Sequence, residues 1–579
     1  MAINDVVFLY GSETGTAQDV TETLWMEAKK RHVPARLYSM DEYDIKNLSD
    51  EMCAVFVIST TGQEKSRYAE NFVFHVSIAV LGLGDSSYQK YNFAAKKLYR
   101  RLCQLGAKPL LELSLADDQH EFGVDGAFDV FKKDLFRKLS QKWFSKEMSL
   151  NAESLFVLSH RYQLVYDNIH EKTPAVHPKN NDFHLFTVSS NEQVTATDHF
   201  QETHLLKLSA ENESLQRYDS GDVFWLHPYN LEESIMTVVE ALGYSDDVLD
   251  RKFYFQLTDS CIRKPPSWLI KEPTTLRECL TKYLDLQMVP RRSFFKKLSL
   301  LSNNKMEAEK LDELGSAHGI NAYYEYCLLP RRTVAECLRD FANTSKALPP
   351  NALFDILSAI KPRAYSISSC AAIHSLIELL VAKVEYKSRT MREQRKGICS
   401  TFISRLKTGD KIFGRIGQGT FRWPNESSSL LLIGPGTGVA AFRSILNCRN
   451  QLRNNVDNIM KNGNLCSPDF LFFGCRSPKK DFYFRDEWPK LKNACVVTAF
   501  SRDDGKSEHV QDKLLQNSDE IWKLIDERDG YIYIAGRSGK MPESVINVLK
   551  KIIFMNGENG DTLIKKLENF GKLQIETWE

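Results

Sequence analysis

The chain has 579 residues, of which 42% are hydrophobic and 26% charged, and a net charge of +1. That length is too great for one core and corresponds to roughly three to four domains. The near-neutral charge gives no field that would favour a nucleic acid or a membrane surface. Twelve scattered cysteines with no CxxC pair argue against a zinc or dithiol centre; with no secretion signal, they fit reduced thiols in the cytoplasm. No apolar run approaches the ~18 residues of a membrane span, so no anchor and no metal are expected.

From Val6 to about Leu139, short apolar runs alternate with helical patterns: "VVFLY", "DVTETLWMEAKKR", "CAVFVIS" and "IAVLGLG". Val20, Leu24 and Ala28 recur at i, i+4 and i+8, the inner face of a helix. Such alternation predicts βαβ units in a doubly wound parallel sheet over residues 1–143. Residues 144–181 read as a linker, with "HEKTPAVHPKNND" its clearest part. Alternating strands then predict a β domain over 182–428, interrupted by a mostly helical insertion at about 231–360. From Leu430, strand and helix alternate again, predicting a third, α/β domain over 429–579.

The first candidate site is "YGSETGTAQDV", Tyr10–Val20. Its small and hydroxyl residues fill a strand-to-helix turn, where free backbone N–H groups and the helix dipole suit a phosphate. Neither GK[ST] nor G-x-G-x-x-G is present, so neither a nucleoside triphosphate nor a dinucleotide is expected here. Ser12, Thr14 and Thr16, with Glu13, Gly15 and Ala17, can wrap a phosphate monoester without any cation; the competing reading is a Ser/Thr-rich helix cap.

Two further turns, "TTGQ" (Thr60, Thr61, Gly62, Gln63) and "LGLGDSSY" (Leu81, Gly82, Leu83, Gly84, Asp85 to Tyr88), follow apolar strands, as does "LADDQ" with Asp117. In a doubly wound sheet all four loops fall at the carboxyl ends of the strands, where ligands bind. Tyr88 and Tyr91, beside Asn92, offer stacking surface for a planar ring. Only 14 residues separate Gln63 from Ile78, few for a parallel crossover, which usually takes a dozen or more. A helix "SRYAENFVFH" of about ten residues would span ~15 Å and return the chain; the alternative is one long strand, "FVFHVSIAVLG", with no room for a crossover.

In the later domains, "LLLIGPGTGVAAF" is a strand, a glycine turn and a helix start, with Gly436 and Thr437 placed for a diphosphate. Downstream, "CVVTAFSRD" sets Ser501 and Arg502 at a strand end with Lys506 nearby. A ribose 2′-phosphate needs a cation where a 2′-OH would meet an acid, so NADPH is expected over NADH.

In order along the chain, "RAYSISS", "GICSTF", "GPGTGVAAF", "FGCRS", "AFSRD" and a terminal "ETWE" resemble the diflavin reductases. "LADDQHEFG", "TTGQ", "GICSTF" and the "ETW" ending are most similar to their NADPH-dependent diflavin oxidoreductase branch, which serves cytosolic iron–sulfur protein assembly. The resemblance implies a flavodoxin-like FMN domain, a ferredoxin-reductase-like FAD β-barrel with a helical insertion, and an NADP domain. It implies that Arg363 bridges a pyrophosphate, that Tyr365 beside Ala364 stacks on the FAD ring, and that Ser366 reaches its reactive edge. Gly397, Ile398, Cys399 and Ser400 would make a second pyrophosphate contact. Arg476, Ser501, Arg502, Lys506 and Gln511 would hold NADPH, while Trp578 covers the FAD ring and Glu576 lies near the hydride-transfer centre.

The implied route runs from NADPH to FAD to FMN to a protein acceptor, an iron–sulfur protein of the anamorsin type, in a monomeric chain whose linker lets the FMN domain swing. Alternative acceptors are methionine synthase or a cytochrome; a further alternative is an FMN-deficient NADPH–FAD diaphorase or binding partner. Three departures from the family pattern stand out. Lys506 comes one place early and His509 replaces a tyrosine. Ala535–Gly536 replaces a Cys–Gly pair, as in the iron–sulfur-assembly branch. The segment after Gln63 is shortened by about a dozen residues, most of one crossover helix.

Overall fold

The computed structural model describes residues 5–12, 14–60, 75–86, 91–143, 160–166, 183–212, 215, 217–387, 389–391, 393–457, 468–503 and 507–578. The chain forms two compact units. One comprises Met1–Ala175, Asn230–Lys361 and Lys387–Arg395; the other comprises Val176–Tyr229, Pro362–Tyr386 and Lys396–Glu579.

The first unit begins with β1 (Val6–Gly11), α1 (Thr16–Lys30), β2 (Ala35–Ser39), β3 (Cys53–Ser59), β4 (Ser77–Gly84), α2 (Phe93–Gln104), β5 (Lys108–Pro109), β6 (Ser114–Asp117) and α3 (Asp125–Lys142). All pair in parallel in the order β2-β1-β3-β4, with β5 and β6 as two pieces of the next strand. The apolar runs are continuous because both faces of this sheet are covered. Val6, Phe8, Val55, Val57 and Leu81 pack under α1 and α3. Their neighbours Val7, Leu9, Phe56 and Val80 pack under α2. The predicted inner face of α1, Val20, Leu24 and Ala28, lies in the first of these layers. This is the flavodoxin-like doubly wound domain.

Strand β4 starts at Ser77, and Val76 precedes it outside any strand. The long-strand reading of "FVFHVSIAVLG" is thereby corrected: parallel pairing of Cys53 with Ser77 sets the start of β4 beside the start of β3. The proposed return helix falls largely on residues outside those described.

The unit also holds the helical insertion, including Glu232–Leu242, Leu276–Lys282, Arg292–Leu301, Lys305–Gly315 and Val334–Asp340. Within the stretch read as linker, Tyr162–Val165 is a strand paired antiparallel with Tyr254–Leu257. Tyr162 is buried there, edge-on to Phe255 and Phe354.

The second unit carries a six-stranded antiparallel sheet whose order is Arg363–Ser366, Val223–His227, Lys411–Gly417, His184–Gln193, Thr203–Ala210 and Ile377–Ala382. A bridge between Ile367 and Leu379 joins the two ends and closes the sheet into a barrel. Beyond it lies a five-stranded parallel sheet: Ala494–Phe500, Asp469–Cys475, Leu430–Ile433, Tyr531–Arg537 and Leu573–Trp578. Among the described residues, no helix is long and apolar enough to cross a membrane, and no group of three or more His, Cys, Asp or Glu is placed to hold a metal.

Candidate flavin and nucleotide sites

Register brings the four predicted loops of the flavodoxin-like domain to one edge. Gly11 lies opposite Ile58, Ser59 opposite Leu83, and Gly84 opposite Asp117. After β1, Ser12 Oγ accepts a hydrogen bond from the Gly15 N–H at 3.0 Å. Gly15 is the N-cap of α1 in the left-handed region, φ +90°, which glycine adopts at least cost. No side chain caps α1, so its first-turn N–H groups and positive dipole end can serve an anion. Thr14 and Thr16 bring their hydroxyls to 3.4 Å of each other. Thr60 Oγ1 is buried with no hydrogen-bond partner among the described residues. This donor set fits a phosphate monoester.

Two cations from outside the domain lie beside this loop. Arg291, from the helical insertion, donates from Nη2 to Thr16 Oγ1 at 3.1 Å. Lys361 donates to Gln18 at 3.1 Å, and its Cε lies 3.2 Å from where a Gly15 side chain would begin. No sequence signal marks these two residues, because tertiary packing alone brings them to the loop.

Several expected ligands serve the core instead. Ala17, Leu81 and Leu83 are fully or almost fully buried, so only their backbone can face a ligand. Asn92 is fully buried in the left-handed region, φ 52°, and its amide donates to Ala116 O at 2.8 Å. A side chain on Gly82 would meet Asn92 at 2.7 Å, and one on Gly84 at 2.9 Å. These two glycines admit the asparagine that locks the ends of β4 and β6. Asp117 Oδ1 accepts from the N–H groups of Ser86 and Gln119 at 2.9 and 3.0 Å. Desolvation works against these donors, yet the Asp117 carboxyl stays below the usual carboxylate range. Asp85, next along the loop, is half-buried. The Tyr91 hydroxyl donates to Ala116 O at 3.3 Å, and Lys96 Nζ lies 4.8 Å from the ring centroid. Glu13, Thr61, Gly62, Gln63 and Tyr88 lie outside the described residues.

In the barrel, Ser366 pairs with Val223, Tyr365 with Phe224, Ala364 with Trp225 and Arg363 with Leu226. Alternation places Arg363 and Tyr365 on one face of the strand and Ala364 and Ser366 on the other. Burial, then the neighbouring Cys399 sulfur, raises the Tyr365 hydroxyl well above its ordinary pKa, so it stays neutral. Gly397 is the N-cap of the helix Ile398–Arg405, without a side-chain cap. A side chain on Gly397 would meet Ser400 Oγ at 2.8 Å, and that hydroxyl accepts from the Val384 N–H at 2.9 Å. Cys399 and Ile398 are buried, leaving backbone and hydroxyls as donors. Thr401 Oγ1 is buried with no partner among the described residues. Uncapped amides beside an orphan hydroxyl fit a pyrophosphate.

In the α/β domain, Gly436 is left-handed, φ +59°, with open space beyond it, and Thr437 follows. A side chain on Gly438 would come within 2.1 Å of Ala535 O, so glycine is needed where the helix meets the neighbouring strand. The backbone continues strand pairing past the sheet, from Ser501 N to Cys475 O at 3.0 Å and from Arg502 N to Arg476 O at 2.8 Å. Arg476 stacks on Phe200 at 3.9 Å, and Arg502 lies 5.9 Å from the same ring. Asp481 spends its oxygens on the N–H groups of Arg476 and Ser477. Desolvation, then repulsion from Arg502, lowers the Arg476 pKa; a bound anion would relieve both. Phe200 was not legible from sequence as part of this site. His509, in place of the family tyrosine, heads the helix Val510–Gln516 and donates its N–H to Asp512 Oδ2 at 2.8 Å; Gln511 is half-buried on that helix, and Lys506 lies outside the described residues.

The chain's last strand pairs parallel with Tyr531–Arg537, Trp578 opposite Arg537 and Glu576 opposite Ala535. Ser538 N donates to Trp578 O at 2.8 Å. Glu576 accepts from Thr420 Oγ1 at 2.8 Å. Burial raises the Glu576 carboxyl above its ordinary range against that bond.

Three family descriptions match the chain: Flavodoxin over residues 8–129, FAD binding domain over 176–402 and Oxidoreductase NAD-binding domain over 432–545. They bear out FMN, FAD and NADPH as cofactors and a flavoprotein oxidoreductase as the enzyme class. The chain is 34% identical to the mouse (Mus musculus) NADPH-dependent diflavin oxidoreductase 1, with 100% of both chains covered. It is 35% identical to the Bos taurus protein of that name, 99% of each covered, and 32% to that of Schizosaccharomyces pombe, 100% of each. The mouse alignment runs over 630 positions, longer than the 579 residues here. With three matched domains in this order and likeness along its whole length, the chain belongs to the family of NADPH-dependent diflavin oxidoreductases.

Proposed function

We propose that this chain carries electrons from NADPH through its two flavins to a small iron–sulfur protein, anamorsin-like, in cytosolic cluster assembly, working as a cytoplasmic monomer. The observation that carries this reading is likeness along the full length to proteins named NADPH-dependent diflavin oxidoreductase 1. Ala535 beside Gly536, the pair of the iron–sulfur-assembly branch, supports the choice of acceptor. When bound, the flavins supply the chemistry that converts a two-electron hydride donor into single-electron steps.

The protein's own residues bind and orient. Gly436, Thr437, Arg476, Ser501 and Arg502, with Lys506 and Gln511, hold the nucleotide, the arginines selecting its 2′-phosphate. Arg363, Tyr365, Ser366 and the 397–400 turn hold FAD, with Trp578 as a movable cover. Burial raises the affinity of the Glu576 carboxyl, beside Thr420, for a proton. Ser12–Ala17, the 60–63 turn and Asp117 hold FMN. The domain limits follow the sequence reading: 1–143, 182–428 with its insertion, and 429–579.

The test is reduction of acceptors by the purified chain with NADPH. An anamorsin-type protein should be reduced much faster than cytochrome c or cobalamin-bound methionine synthase, and equal rates would remove the assignment of acceptor. A second reading, an FMN-poor diaphorase, draws on the short spacing after Gln63 and predicts FAD without FMN.

A further inference from the structure

We infer that Arg291 and Lys361, from the helical insertion, are cations for the FMN phosphate, so that FMN itself fastens the flavodoxin-like domain to the insertion. This rests on the reading of Ser12–Thr16 as the phosphate loop. Three observations carry it. The Arg291 guanidinium is already at the loop, 3.1 Å from Thr16 Oγ1, and no carboxylate pairs with it among the described residues. Lys361 lies against Gly15, the left-handed residue at the head of α1, and is oriented by Gln18 one turn along the same helix. The adjoining residues are engaged elsewhere: Arg292 pairs with Asp125 and Asp129 at 3.0 and 2.8 Å, and Ser293 donates to Asp19 at 2.8 Å. These contacts hold the start of the helix Arg292–Leu301 along α1 and present Arg291 to its N-terminus.

A phosphate dianion at that helix end would meet two cations in addition to the backbone amides. Charge-assisted bonds to phosphate are the strong class. Both of these cations come from outside the flavodoxin-like domain, so FMN would be held more tightly when the domain is docked on the insertion. FMN would in turn strengthen that docking, by the same factor.

The experiment uses the full chain stripped of FMN and titrated with FMN and with riboflavin, which lacks only the phosphate, followed by quenching of flavin fluorescence. The wild type should bind FMN far more tightly than riboflavin. R291Q combined with K361Q should lower the FMN-to-riboflavin affinity ratio on the order of tenfold or more, leave riboflavin unchanged, and be partly rescued by R291K with Lys361 intact. A high wild-type ratio that the double variant does not move overturns the inference while leaving the phosphate loop standing. A parallel loss of both ligands overturns it too, since that is a structural effect. A wild-type ratio near one would remove the phosphate-loop reading itself. Should R291Q fail to fold, K361Q alone is judged by the same ratio.

Discussion

The two compact units hold their parts together by different physics. In the second, an apolar cluster runs without a break from the barrel, through Leu380 and Phe421, into the parallel sheet, through Leu432, Phe442, Phe473 and Tyr533. Arg443, 3% exposed, crosses the same junction to Glu378 at 2.6 Å and Ser368 O at 3.1 Å, and is held on its own side by Glu487 at 2.7 Å. In the first unit, the flavodoxin-like core closes on itself; among the described residues its main cluster takes only Cys261 from the insertion. The contacts with the insertion, and with the strand Tyr162–Val165 paired to it, are made by charges and hydroxyls: Lys29 with Asp259, Ser293 with Asp19 and Arg292 with Asp129 from the insertion, and Arg161, just before that strand, with Glu22. An apolar seam resists separation in any salt, whereas a polar one is weakened by ions and by water. The barrel and nucleotide sheet share one apolar core, whereas the flavodoxin-like domain meets its neighbours mainly through polar contacts.

The largest effect expected from breaking this contrast comes from Arg443→Met. Buried Glu378 would lose its 2.6 Å partner and keep only Lys207 at 3.6 Å, costing about 3 kcal/mol. Urea unfolding of the full chain should show the barrel and nucleotide sheet destabilised together, and early loss of only one would break the claim that they share one core. Next is Gly438→Ala, which drives a methyl group against Ala535 O and should cost about 1–3 kcal/mol by overpacking. NADPH binding should weaken with it, as read by titration calorimetry.

Arg502→Ala should remove a charge-assisted phosphate contact of about 1.5–3 kcal/mol. Its signature is a fall in kcat/KM for NADPH of roughly tenfold or more, with NADH unchanged; an equal fall for both would make Arg502 a structural residue. Smaller still is the pH response of the docked contact. Desolvation opposes ionisation of Glu22, but Arg161 outweighs it and holds the carboxyl below its ordinary range. A lowered folded-state pKa gives stability that is full at neutral pH and is lost only as pH falls through that lowered value. Docking, followed by small-angle scattering, should therefore tolerate pH 6 and fail in stronger acid. Glu22→Gln should reduce that pH dependence, leaving the share of Asp259, Asp19 and Asp129, and leave the contact weaker throughout.

Much of this molecule was legible in its sequence because local rules govern it. Continuous apolar runs gave β1, β3 and β4, the i, i+4, i+8 repeat gave the buried face of α1, and glycine turns marked the ends of strands. Side-chain facing was less accessible. Leu81 and Leu83 flank the glycines of a ligand-edge turn, yet the pleat turns both into the core. Asn92 reads as a loop ligand, but Gly82 and Gly84 make room for it to act as a clamp. Arg291, Lys361, Phe200 and Thr420 were invisible because each reaches its partner across a long sequence separation. No periodicity encodes such contacts.

The central claim, a working two-flavin reductase despite the short spacing between Gln63 and Ile78, is tested most directly by counting flavins. Released flavins from the purified full chain, separated by HPLC and quantified against protein, should show one FAD and one FMN per chain. FAD at one per chain with FMN absent would contradict the account.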